Sequence, residues 1–254
     1  MESLIDEMIA EYSGPLGELG PSVDLDEEEI EKLEALGYVM PKKSAPSGPL
    51  PDPKDMMADL NNRLDSKEIV KQARVFLNSN DLDEARWHLE RAIELDPKND
   101  VAIHDIGVIH YRRGEFEEAL PYLEEAVRLS PTKPLPREHL GRIYMKLNRH
   151  GDAARELETA VALDPEKADL RIGYGMALAE TGDINGALQQ FYKAIELEPQ
   201  LGTAYYRAAQ ALTTMGHLDE ARKMLQEVLA MNPPPRLAEP CRRLLSDIEE
   251  RRGR

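Results

Sequence analysis

Apolar residues recur at helical spacing along most of the chain, and the pattern itself recurs. In residues 100–133, Ile103, Ile106 and His110 fall on one side of a first helix. Phe116, Leu120, Leu123 and Val127 fall on one side of a second. Gly114 stands between the two, where a helix C-terminus favours a residue that tolerates positive φ. Gly182 and Gly216 hold the same place later in the chain. Asn80 and Asn148 hold it elsewhere, asparagine being the next most tolerant type. Pro131 follows the second helix and stops it, because proline has no N–H for the ladder and clashes with the preceding turn.

That arrangement has a fixed period. Pro97, Pro131, Pro165, Pro199 and Pro233 are each 34 residues apart, and Ala85, Ala119, Ala153, Ala187 and Ala221 keep the same register. A second small residue recurs at Ala92, Ala126, Ala160 and Ala194, with Val228 in the fifth copy. The units are therefore 66–99, 100–133, 134–167, 168–201 and 202–235, with no insertion or deletion between them. A strict period of this length predicts stacked helical hairpins that share one continuous core.

The eighth place of each unit, inside the first helix, holds Ala73, Gly107, Gly141, Gly175 and Ala209. Glycine costs about 1 kcal/mol relative to alanine in a helix interior. Its recurrence predicts that the partner helix crosses too close for a larger side chain. The alanine at the twentieth place is expected to be the small surface opposite.

These residues resemble the tetratricopeptide repeat, whose pattern is W-x2-L-G-x2-Y, then A-x3-F, then A and P. The third unit supplies Leu140, Gly141, Tyr144, Ala153, Leu157, Ala160 and Pro165. The fourth supplies Tyr174, Gly175, Leu178, Gly182, Ala187, Phe191, Ala194 and Pro199. The opening Trp is replaced by Ile69, Ile103, Arg137, Arg171 and Tyr205. The resemblance covers 170 of the 254 residues. It implies an all-α fold, a right-handed solenoid of five helix-turn-helix repeats whose first helices line a concave face.

Beyond the array, residues 236–254 are expected to form a capping helix. Leu237, Cys241, Leu244, Leu245 and Ile248 make one apolar stripe, and Arg243, Asp247 and Glu250 face away. Cys241 is expected to be structural. Ahead of the array, residues 41–54 hold five prolines and read as an extended linker. A lead-in helix is expected over 55–65, with Met56, Met57, Leu60 and Leu64 on one side, continuing into the first unit. Residues 1–40 read as a loosely ordered acidic segment with short helices near 2–12 and 24–37.

Residues 1–56 carry a second resemblance. Glu-Lys-Leu-Glu-Ala-Leu-Gly-Tyr-Val at 31–39 is similar to the closing motif of bacterial sulfatases of the alkaline-phosphatase-like superfamily. Asp-Pro-Lys-Asp-Met at 52–56 is similar to the lead-in of their fusions to tetratricopeptide repeats. The resemblance implies an accessory C-terminal region of a sulfatase-like hydrolase, separated from its catalytic domain. Such enzymes need a C/S-x-P-x-R nucleophile and Asp, Asn and His metal ligands. Cys241 is followed by Arg-Arg-Leu-Leu, so no catalytic residue carries over.

Charge narrows the classes. The chain has 48 acidic and 32 basic side chains, a net of −16, and residues 1–65 alone carry sixteen acidic and five basic ones. That balance repels phosphate backbones and anionic lipid, which argues against nucleic-acid and membrane-surface roles. The single cysteine excludes an internal disulfide framework and cysteine-based zinc sites. No apolar run is long enough for a membrane span. The acidic start, Met-Glu-Ser-Leu-Ile-Asp-Glu, does not read as an export signal, so the chain as it stands is expected in the cytoplasm. A sulfatase tail would be periplasmic or exported.

No catalytic, cofactor or metal motif emerges. The six histidines lack H-E-x-x-H spacing and read as solvated or half-buried, and no phosphate-binding glycine loop occurs. What remains is the concave face. In the family it resembles, ligand contacts come from places two, five, nine, twelve and thirteen of each unit. From these places the candidate groove residues are Arg74, His104, Val108, Tyr111, Arg112, Arg142, Met145, Lys146, Met176, Tyr206 and Gln210. Arg74, Arg112, Arg142 and Lys146 concentrate cations in an otherwise acidic chain. The expected function is thus a non-catalytic scaffold binding a protein or peptide, of acidic character, in the groove. The Lys and paired Asn with which some such repeats clamp heat-shock chaperone tails are not present: Val70 and Arg74 occupy two of those places.

Overall fold

The computed structural model describes residues 53–252. Among them are eleven helices and no strand. They run α1 Pro53–Asn78, α2 Leu82–Leu95, α3 Asp100–Arg113, α4 Phe116–Leu129, α5 Pro134–Lys146, α6 His150–Leu163, α7 Ala168–Glu180, α8 Ile184–Leu197, α9 Gly202–Thr214, α10 Leu218–Ala230 and α11 Pro235–Arg252. The first ten pair into five antiparallel hairpins, and each hairpin packs on the next. The readings of residues 1–40 and 41–52 lie outside the described residues. Helix α1 begins at Pro53, inside the stretch read as linker, and runs without a break into the first hairpin. A proline at the first helical position costs nothing, because that N–H has no intrahelical partner anyway.

Every hairpin turns in the same way. The residues at the turn are left-handed: Asn80 (φ 62°), Gly114 (79°), Asn148 (57°), Gly182 (90°) and Gly216 (81°). The next amide reaches back over the helix end. Asp81, Glu115, Arg149, Asp183 and His217 donate to the carbonyls of Phe76, His110, Tyr144, Leu178 and Leu212 at 2.8–3.0 Å. This six-to-one bond satisfies a carbonyl that the helix leaves open. Asp81 and Asp183 then cap the second helix by accepting from the amides of Glu84 and Gly186.

The helices within a hairpin cross closely, but the opposing residue differs from the expectation. A Cβ on Gly141 would stand 2.6 Å from the Leu157 Cγ. On Gly107 it would meet the Leu123 Cγ at 2.8 Å, and on Gly175 a Phe191 ring carbon at 2.6 Å. The partner is the large residue at the twenty-fourth place, not the alanine at the twentieth. The glycine is a hole and the large side chain a knob that fills it. Two small residues face to face would leave a void, which close-packed interiors do not tolerate. Leu123, Leu157 and Phe191 are accordingly almost fully buried. The alanines at the twentieth place, Ala85 to Ala221, are also wholly buried and contribute to the core elsewhere.

The place where the repeat pattern wants tryptophan has a different use here. Arg171 donates from Nε and Nη2 to the Pro165 carbonyl at 3.0 and 2.7 Å, and Tyr205 donates from its hydroxyl to Pro199 at 3.2 Å. Arg137 does the same to Pro131 at 3.3 Å while pairing with Glu156 at 2.6 Å. The Pro131, Pro165 and Pro199 corners are thus tied to the following helix by the long donor that stands there, whereas Ile103 offers none to Pro97.

Helix α11 closes the array. Cys241 and Ile248 are fully buried against Leu212, Leu225 and Val228, with Leu237, Leu244 and Leu245 half-buried beside them. Burial pushes the Cys241 thiol above its ordinary pKa, which keeps it protonated. At the other end Leu64 is half exposed. Among the described residues no helix is long and apolar enough to cross a membrane.

Substituting Gly141→Leu is expected to lower stability by about 1–3 kcal/mol through overpacking. Leu157→Ala should cost about 2–5 kcal/mol by opening a cavity. The double variant should cost less than the sum, because the new side chain occupies the vacated knob position. Urea denaturation of the four proteins checks this, and strict additivity would contradict the knob-in-hole crossing.

Candidate functional site

Adjacent first helices touch one another along the array: α1 with α3, α3 with α5, α5 with α7 and α7 with α9. Side chains on neighbouring helices meet at separations close to one repeat. Arg74 reaches Asp105, His104 reaches His139, and Arg112 reaches the Leu77 carbonyl, spacings of 31, 35 and 35 residues.

The first half of this face is a polar chain across three helices. Arg74 donates from Nε to Asp105 Oδ2 at 2.9 Å, and His104 Nδ1 meets the other carboxylate oxygen at 2.8 Å. His104 Nε2 lies 2.8 Å from His139 Nδ1. Burial works to raise the Asp105 pKa, yet the hydrogen bonds and charges of His104 and Arg74 hold it below its ordinary value. Burial, then the proximity of His104, pushes His139 down to about 4. An ionised Asp105 must accept the His104 Nδ1 proton. The His104 Nε2–His139 Nδ1 contact then holds a single proton between the two rings.

His104 is only 5 % exposed, with both nitrogens engaged, so it supports the groove from beneath and does not line it. This corrects the reading of the histidines as solvated or half-buried; His110 is also buried, with its Nδ1 2.7 Å from Glu115. Among the described residues no three His, Cys, Asp or Glu side chains converge as a metal site.

The other candidate cations divide. Arg142 pairs at 2.6 Å with Glu138, a buried carboxylate that also takes Lys167 at 2.8 Å. Arg112 is exposed but donates to the Leu77 carbonyl at 2.7 Å. Lys146 is exposed and has no ion pair among the described residues. Beside these, Val108, Tyr111 and Met145 are half-buried, Tyr111 lying against Phe116 with ring centroids 5.7 Å apart.

The second half holds a cavity of about 340 Å³ between α7 and α9. Met176, Ala179, Ala211 and Phe191 form its apolar lining, and Glu180, Arg207 and Gln210 bring polar groups to it. The Phe191 ring can stand there because Gly175 leaves it room. Arg207 Nη1 donates to Gln210 Oε1 at 2.9 Å, and Gln210 Nε2 donates to the Tyr206 hydroxyl at 3.2 Å. Met176, Tyr206 and Gln210 are thus gathered at one spot, as candidates from different units.

Sequence reasoning missed Asp105, His139 and Arg207. All three occupy the sixth place of their units, next to the fifth place from which groove contacts are expected. Spacings of 31 and 35 residues, one repeat give or take a helical turn, are the signal that could have paired the first two with their partners.

A stack of helical hairpins with one face of first helices and a cavity between two of them defines a helical-repeat solenoid. The chain belongs to the tetratricopeptide repeat family: one family model described as "Tetratricopeptide repeat" matches residues 70–134 and 139–201, and another of the same description matches 178–244. Among solved structures it is similar to YrrB, described as a TPR protein with an unusual peptide-binding site, at 26 % identity and TM-score 0.60, covering 74 % of this chain and 97 % of that one. It is also similar in fold to MamA, at 23 % identity and TM-score 0.59, over 63 % of this chain and 94 % of the other. PilF of Pseudomonas aeruginosa matches at 16 % identity and TM-score 0.63, over 74 % and 90 %. No curated protein matches the chain.

Because the His139 pKa is lowered from 6.5 to about 4 on folding, the unfolded chain takes up a proton before the folded one does. The stabilising contribution is full above pH 6.5 and is lost as pH falls through this window to about 4. Asp105 gives way only at lower pH, since its pKa is held below the usual carboxylate value. Stability of His139→Gln should therefore fall less between pH 7 and about 4.5 than that of the parent. Parallel denaturation curves at both pH values test this; equal losses would show that the ring is not held neutral.

Proposed function

We propose that the protein is a non-catalytic interaction scaffold that takes a peptide segment of a partner protein along its concave face. The observation that carries this is the run of half-buried Tyr111, Met145, Met176 and Tyr206 on four successive first helices, with polar donors between them. Aromatic and methionine side chains in that state bury apolar area readily when a partner arrives. The peptide-binding site described for YrrB supports the same reading.

Acidic character in the partner rests on fewer groups than the cation count suggests. Arg74 and Arg142 already face buried carboxylates, and Arg112 is held by a carbonyl. Lys146 and Arg207 have no carboxylate partner among the described residues and can meet a partner's charge. The reading as a scaffold without catalysis also has a chemical reason. Asp105 and His104 look like half of a general-base pair, but both His104 nitrogens are spent on Asp105 and His139.

Affinity capture from the source cells with the full chain, followed by a binding titration of the captured protein, tests the proposal. The combined change Lys146→Glu with Tyr206→Ala should weaken binding by about tenfold or more, equivalent to about 1.4 kcal/mol. Lys193→Glu, on the exposed side of α8, should leave it unchanged. Equal binding by all three proteins would place the contact off the concave face.

A further inference from the structure

The sixth place of each unit shows an asymmetry that points to a ligand. On α3 and α5 the side chain there finds a polar partner on the preceding first helix: Asp105 meets Arg74, and His139 meets His104. Those partners sit at the ninth and fifth places. On α9 the same place holds Arg207, and the ninth and fifth places of the preceding helix hold Met176 and Ile172, which offer no charge. Arg207 is half-buried and, among the described residues, has no carboxylate partner. Its guanidinium spends Nη1 on Gln210 and lies 5.9 Å from the centre of the Tyr206 ring. A partly desolvated guanidinium without a counter-charge is costly, and its planar fork matches a carboxylate.

The cavity beside it sets the rest of the chemistry. At about 340 Å³ it is at the small end for ligand sites, so it suits a side chain better than a cofactor. Met176, Ala179 and Ala211 make that space apolar. Gln210 lines the cavity together with Arg207 and accepts from that guanidinium through its Oε1. Glu180, exposed and also without an ion pair among the described residues, borders the cavity from α7.

We infer that the α7–α9 cavity is the specificity pocket of the groove and takes a peptide in which an apolar side chain adjoins a carboxylate. The apolar side chain enters between Met176 and Ala211, and the carboxylate pairs with Arg207. A basic residue on the opposite side of the anchor is favoured by Glu180. The inference rests on the peptide-binding reading above and narrows it to one pocket and one chemistry.

The test selects peptides from a displayed random library on the full-length protein and measures their affinity after synthesis. Selected sequences should carry Asp or Glu next to Leu, Ile, Met or Phe. Their affinity should fall about tenfold or more with Arg207→Gln and with Ala179→Leu, which fills the cavity. Arg207→Lys, keeping charge without the fork, should fall by less. Synthesis as C-terminal amides separates a side-chain carboxylate from a terminal one, since only the latter loses affinity. Helical circular dichroism and melting midpoints verify that each variant folds; Ala179→Leu and Arg207→Gln fail independently, so one remains if the other does not fold. Peptides that bind equally to both variants but lose affinity with Lys146→Glu overturn the pocket and leave the groove standing. A library that yields no binder to the concave face overturns both.

Discussion

The crossing of two helices inside each hairpin governs everything else in this protein. A glycine at the eighth place lets a large side chain at the twenty-fourth place enter the helix surface, so the pair locks in one register. Where alanine replaces glycine, as at Ala73 and Ala209, leucine still occupies the opposite place, at Leu89 and Leu225, within the same core cluster. The bulk differs and the register does not. A helix bears the roughly 1 kcal/mol cost of an interior glycine because the knob it admits buries more apolar surface than a methyl would.

Similar hairpins then stack in the same way, and that repetition creates the face of first helices. Each first helix lies beside the next with a constant offset, so residues about one repeat apart become neighbours. The offset brings Arg74 to Asp105 and His104 to His139, although nothing local links them. The same offset sets Arg207 beside Met176 and leaves the guanidinium without a carboxylate among the described residues. One geometric relation therefore yields a closed polar network at one end of the groove and an open charged pocket at the other. The difference is only which side chains occupy equivalent places.

Burial separates two sets of side chains along the face of first helices. His104, Asp105 and Glu138 are all about 5 % exposed and satisfy one another or a neighbouring cation. Such groups are expensive to leave unpaired and therefore rigid when paired. They hold α1, α3 and α5 in place beneath the surface. Tyr111, Met145, Met176 and Tyr206 remain half-exposed above that base, where a partner can cover them.

The sequence by itself determined the hairpin architecture, the turn chemistry and the cap, because each depends on residue type at short range. A positive-φ residue at Gly114 or Asn148, a proline that ends a helix, and the apolar stripe around Cys241 all act within a few residues. It also located the close crossing at Gly141, since an interior glycine that recurs asks for a neighbour. It did not say which neighbour, and the alanine at the twentieth place is not the one. Only the tertiary structure decided that Leu157 is the knob, that Arg74 and Arg142 are neutralised from within, and that Arg207 meets no carboxylate among the described residues. Those outcomes depend on the offset between helices about 34 residues apart, and an offset is a property of packed surfaces, set by knobs and holes that meet only once the hairpins have stacked.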